Sequence, residues 1–147
     1  MPEIVTVVAR GTPRPQPRPR MFGRMVVSTA SPLAKAWRDV VAASVRRARP
    51  VGGVDWPTGC ELEATFVFGT KDRARHGQHH LHRPDADNLV KLVMDVLQDH
   101  GLLPDGDSDV ASMTVRKIWG RPGTEGVVIH LRAAPEQSQL PPELSAA

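Results

Sequence analysis

Two sets of aspartates in this chain are spaced for chemistry. Asp85 and Asp87 open the segment RPDADNLVKLVMDVLQDHG, and Asp105, Asp107 and Asp109 alternate within LLPDGDSDV. Oxygen-only ligands on a compact site suit a hard cation such as Mg²⁺ or Mn²⁺. Such an ion polarises a phosphodiester oxygen and lowers the pKa of a bound water. Lys91, one helical turn past Asp87, is spaced to neutralise charge growing on a phosphorane-like transition state or to hold the attacking water. A purely structural reading competes with this one. Aspartate at a helix start caps free N–H groups and complements the dipole. Asp87, Lys91 and Asp95 at four-residue spacing also form an ordinary ion-pair ladder. For the helix segment alone the two readings stand about even, and the second acidic cluster favours the metal.

The elements that must position these groups follow from periodicity. Placed on a helix from Asp85 to Gly101, the residues Leu89, Leu92, Val93, Val96 and Leu97 share one face. That face predicts the core side and leaves Asp87, Lys91 and Asp95 outward. Gly101 stands where a C-terminal glycine belongs. Ser31-Pro32 predicts a second helix, capped by Ser31 and ending before Pro50, with Leu33, Trp37, Val40, Val41 and Val45 inward. Strands are expected at Ile4–Ala9, Glu61–Phe68, Val110–Trp119 and Val127–Leu131, with a short one at Met25–Val27. Gly120, Pro122 and Gly123 suggest a hairpin between the last two long strands. The order β-α-β-α-β-β predicts a single α/β (α+β) domain over residues 1–132, with a mixed sheet and two helices. The Pro-, Gln- and Ser-rich stretch 133–147 is expected to be a disordered tail. Asp107 lies just before the strand that follows the second helix. Local geometry puts it near that helix's end and leaves open how it would reach Asp85.

Positive charge is concentrated in two loops. Arg10 to Arg24 carries five arginines and no acid, with prolines at 13, 15, 17 and 19 that forbid helix and strand interior. Arg14, Arg18 and Arg20 are read as phosphate contacts, because guanidinium makes forked bonds to phosphate; a solvated linker or a proline-rich ligand is the weaker alternative. Lys71, Arg73, Arg75 and Arg83 lie in the second loop, Gly69 to Pro84, with His76, His79, His80 and His82. Those histidines match no zinc spacing and are read as solvated. Trp37 is expected in the core, while Trp56 and Trp119 near loops are weighed as base-stacking residues against plain burial. The chain of 147 residues is 40% hydrophobic, carries a net charge of +3 and has a single cysteine, Cys60. No internal disulfide can form, no apolar run spans a membrane, and no signal peptide is visible, so a cytoplasmic protein is expected.

PDADNLVKLVMDVL, followed by GDSDV and then Lys117, resembles the RusA family of Holliday-junction resolvases. The likeness extends over residues 4 to 132, including Gly11-Thr12-Pro13 and the Ser31 to Arg49 helix. It implies that Asp85, Asp87, Lys91 and Asp107 are catalytic, with Asp85, Asp87 and Asp107 on Mg²⁺ (Mn²⁺ as substitute). Asn88 and Asp95 match further positions of the motif. The resemblance also implies a homodimer that binds a four-way junction and nicks two opposed strands. One departure is Gly106, where the family pattern has the first acid of an Asp-Asp pair; Asp105 is the nearest replacement. A DNA-binding protein of the same fold without cleavage is the alternative, favoured by Gly106 alone. A helix-capping acidic cluster in an unrelated fold is a third reading, and it leaves the basic arm unexplained.

Overall fold

The computed structural model describes residues 2–17, 20–27 and 31–145. Four strands form one mixed sheet: β1 (Ile4–Arg10), β4 (Cys60–Gly69), β5 (Val110–Gly120) and β6 (Gly126–Ala133). Their spatial order is β1-β6-β4-β5. The β1–β6 and β6–β4 pairs are antiparallel, and β4–β5 is parallel. Helices α1 (Pro32–Ala48) and α2 (Ala86–Asp99) complete the domain, and β2 (Arg20–Phe22) pairs with β3 (Met25–Val27) as a separate ribbon. This agrees with the expected mixed sheet carrying two helices. A four-residue helix, α3 (Pro142–Ser145), lies near the C-terminus.

Along β4 the alternation is complete: Cys60, Leu62, Ala64, Phe66 and Phe68 are all buried. In α2 the five predicted core residues are buried, joined by Val90. Packing α2 and α1 onto one face of the sheet removes these side chains from water, each worth about 1.5–3 kcal/mol. Ser31 caps α1 as predicted, its hydroxyl accepting from the Ala34 N–H at 3.1 Å. No helix among the described residues is long and apolar enough to cross a membrane.

Three expectations are corrected. Strands β5 and β6 are not a hairpin: β4 lies between them, parallel to one and antiparallel to the other. Turn residues at 120–123 mark a reversal, but the reversal carries the chain past the end of β4. Only the pairing partners decide this, and local sequence does not encode them. Leu33 and Val40 are exposed, and Ala34 and Ser44 take the inward positions on α1. A shift of one residue turns a helical side chain by about 100°, so a loose apolar stripe fixes the buried face only approximately. Within the Arg10 to Arg24 segment, read as all loop, Arg20 to Phe22 is a strand.

Candidate active site

Helix α2 begins at a backbone N-cap, Asp85, whose side chain makes no capping hydrogen bond. The capping explanation for this aspartate therefore fails, and its exposed carboxylate is left for other work. It opens on a cleft of about 610 Å³. Thr12, Pro13, Arg14 and Pro15 of the arm form one wall, Arg83, Pro84, Asp85 and Asn88 the other, and Phe68 at the end of β4 lies between them. Two backbone and side-chain links hold the arm there. Gln16 N–H donates to Asn88 O at 3.0 Å. Arg38 of α1 reaches both the Gln16 side chain (3.5 Å) and Asp99 Oδ2 (3.2 Å). The site thus joins two guanidinium-bearing segments to a carboxylate at a helix N-terminus, where the dipole is positive.

The loop before α2 is fixed from β5. Lys117 Nζ donates to His82 O and to Pro84 O, both at 2.8 Å. Its backbone carbonyl accepts from His80 N–H at 2.9 Å. Gly77 N–H donates to the Trp119 carbonyl, Trp119 N–H donates to Gln78 O, and His79 bridges Ile118. This folded loop corrects the reading of four solvated histidines. His80 is buried, stacked on Phe68 at 4.1 Å and tilted against Trp119 at 4.3 Å. Burial, then the Lys117 charge, lowers its pKa below the usual histidine value. His76 is half-buried, with Nε2 at 2.8 Å from Thr70 O, while His79 and His82 remain exposed. Trp56 is also buried, its indole N–H donating to Leu102 O at 2.9 Å, so it is no base platform.

Asp87 and Lys91 are exposed on the first turns of α2, near the cleft end. Asp107 is elsewhere. The turn after α2 is tied back to it through Leu102 and Leu103 N–H groups on Leu97 O. The 3-10 turn Gly106–Asp109 follows at once, and a Cβ on Gly106 would stand 3.2 Å from Gln98 Nε2. Asp107 therefore sits at the C-terminal end of α2, about 20 Å from Asp85 along the helix axis. Among the described residues, no three His, Cys, Asp or Glu side chains group closely enough to hold a metal ion. Asp109 is structural. It is buried, accepts from the Asp105 N–H at 2.8 Å and so closes the turn.

The basic residues divide as well. Arg14 and Arg83 line the cleft. Lys71 and Arg73 are exposed on the folded loop; Arg75 pairs with Asp72 at 3.4 Å and lies 5.9 Å over the Trp119 ring. Arg20 opens β2, and Arg18 lies outside the described residues. Cys60 is no nucleophile, because burial pushes its thiol up to about 11. Sequence reasoning assigned no roles to Lys117, Arg38 or Phe68. Lys117 and Phe68 stand on strand faces where core residues are expected, and Arg38 gives no local signal distinct from a surface arginine.

A family model described as endodeoxyribonuclease RusA matches residues 10–132. The chain belongs to the RusA family. Its membership makes it an endodeoxyribonuclease, a crossover-junction resolvase that acts on branched DNA in recombination. RusA resolvases in general depend on a divalent metal. No individual curated protein matches the sequence.

Proposed function

We propose that this RusA protein resolves four-way DNA junctions by paired symmetric nicks, with Mg²⁺ as its ion and Asp85 and Asp87 as ligands from the α2 end. The observation that carries the reading is the Asp85 carboxylate, spared from capping and opening on the cleft it shares with Arg14 and Arg83. The donors are all hard oxygens, which suits Mg²⁺ and admits Mn²⁺. The bound ion supplies Lewis-acid activation of water and phosphodiester. The remaining work belongs to the protein. Arg14 and Arg83 clamp the strand across the cleft through its phosphates, and Asn88 fixes one wall by its backbone bond to the arm. Lys91 places an ammonium one turn beyond Asp87, on the same exposed side of the helix. Lys71, Arg73 and Arg75 extend the phosphate-binding surface onto the folded loop before α2, and the sequence adds Arg18 and Arg20 as further phosphate contacts in this reading.

The active unit is a homodimer. Two carboxylates are an incomplete ligand set, and Asp107 is a helix length away in the same chain. In this reading a two-fold axis brings a carboxylate of the second copy to Asp85 and Asp87. The same axis matches the approximate two-fold symmetry of a four-way junction and gives one site per cut strand.

Incubation of a synthetic four-way junction with and without Mg²⁺, beside a linear duplex of the same sequence, tests the reading. Cleavage is expected only of the junction and only with the ion. Asp87→Asn should abolish cutting while junction affinity stays near wild type, since binding rests on the basic residues. An Asp87→Asn protein that cuts at the wild-type rate rules this site out.

A further inference from the structure

We infer that Lys117 is a positioning residue for the catalytic aspartates, a role that rests on the assignment of Asp85 and Asp87 above. The residue lies on β5, outside the helix that carries those acids. It holds the approach to α2 at three alternate positions: its carbonyl takes the His80 N–H, and its ammonium donates to the carbonyls of residues 82 and 84. Pro84 is the residue immediately before Asp85. A single half-buried side chain therefore sets the path of the backbone into the N-cap.

The chemistry favours a lysine in this place. Pro84 has no N–H to give the loop a ladder bond of its own. The two carbonyls converge on one point, which suits a compact ammonium better than a planar guanidinium fork. Charge-assisted bonds of this length are the strong kind. With two of its three protons committed to backbone oxygens, the ammonium is a tether first and a poor phosphate contact. The surroundings reinforce the lock. His80, buried beside it, rests between Phe68 and Trp119, so the aromatic cluster and the ammonium grip the same loop. Phe68 also lines the cleft, which links this cluster to the site itself.

Catalytic groups must be held within about 0.5 Å of their working geometry, and a displacement of about 1 Å can cost about 10²-fold in rate. Lys117→Met keeps the aliphatic stem and removes both bonds. Its kcat on a saturating four-way junction is expected to fall by about 10²-fold. Junction Kd measured in Ca²⁺ or without divalent ion, and the salt slope of binding, should stay at wild-type values. Hydrogen exchange should quicken at the His80 amide, bonded to the Lys117 carbonyl, and at the Leu89 amide, bonded to the Asp85 carbonyl, with the amides of α1 and β4 unchanged. Lys117→Arg should recover only part of the rate. Lys117→Gln, which can still donate to one carbonyl, is the second variant should the Met form fail to fold, and an intermediate kcat is expected of it.

Wild-type kcat in the folded Met or Gln variant overturns the inference. So does a loss of affinity with a salt slope lowered by about 0.9, which marks a direct phosphate contact instead. Unchanged exchange at the His80 and Leu89 amides overturns the tether itself. The exchange arm needs no cleavage, so it separates failure of this inference from failure of the nuclease reading, which would show as a wild type that cuts no junction.

Discussion

Gly106 stands where the expected motif has an acid, and its backbone bears on that difference. Its φ is +87°, which L side chains rarely adopt, and a Cβ would also meet the flexible end of Gln98 at 3.2 Å. Restoring an acid with Gly106→Asp should therefore destabilise the fold by about 1–2 kcal/mol, the cost of a left-handed L-residue, and should not raise kcat. Chemical denaturation and junction kinetics check both halves; a faster, equally stable variant would show that the missing acid matters. His80 sets a second expectation. Its pKa is lowered in the fold by burial first and Lys117 second. Below the ordinary histidine value, about 6.5, the unfolded chain binds more protons than the folded one. Stability is therefore full above that pH and is lost as pH falls toward the depressed folded pKa. His80→Phe keeps a ring between Phe68 and Trp119 and removes the proton. Between pH 7.5 and 5 it should lose less stability than wild type, and equal losses in urea titrations would contradict the assignment.

Among the elements, the β1–β6 pair bounds the sheet on the side away from β5, and it admits little change. Gly126 starts β6 opposite Arg10, and a Cβ there would overlap the Ala9 carbonyl oxygen. Gly126→Ala should cost about 1–3 kcal/mol through forced backbone movement, read as a lowered Tm with kcat preserved at 25 °C. A Tm unchanged within error would mean that the strand start relaxes freely. The α2 element has the opposite logic. Its inward face is apolar throughout, while its two ends carry separate acidic groups, so one helix serves the core and also presents the candidate carboxylates.

For the assembled protein, the decisive quantity is how binding responds to salt. Each phosphate neutralised on duplex arms contributes about 0.9 to the slope of log K against log salt. Arg14→Ala with Arg83→Ala removes the two guanidinium groups that flank the cleft. The slope on a four-way junction should fall by about 1.8, with the fold intact by circular dichroism. An unchanged slope would remove the cleft from the DNA path. The separation of Asp107 from Asp85 along α2 carries the dimer expectation. Sedimentation at micromolar concentration should give twice the 16.0 kDa chain mass. A monomer that makes paired incisions on one junction would refute the dimer and leave the nuclease assignment standing.

Periodicity and cap chemistry were enough to find α1, α2 and the long strands, because a helix or strand must turn its apolar residues to one side whatever its neighbours are. The acids from Asp85 to Asp95 and the trailing Asp107 stood out as candidates for a related reason: four-residue spacing along a helix is visible in the sequence itself. The strand order was not legible. The 120–123 turn reads as a hairpin because turn residues record a change of direction and not the strand that slips between. Nor did the sequence reveal that Asp85 leaves its helix without a side-chain cap, that His80 is buried, or that Lys117 reaches back 33 residues to Pro84. These depend on which surfaces meet in three dimensions, and a side chain's solvent and hydrogen-bond partners are set by residues far away in the chain. The distance between Asp85 and Asp107 belongs to the same class. Sequence supplied the candidate ligands, and the antiparallel run of α2 against β5 decided that one chain holds them apart.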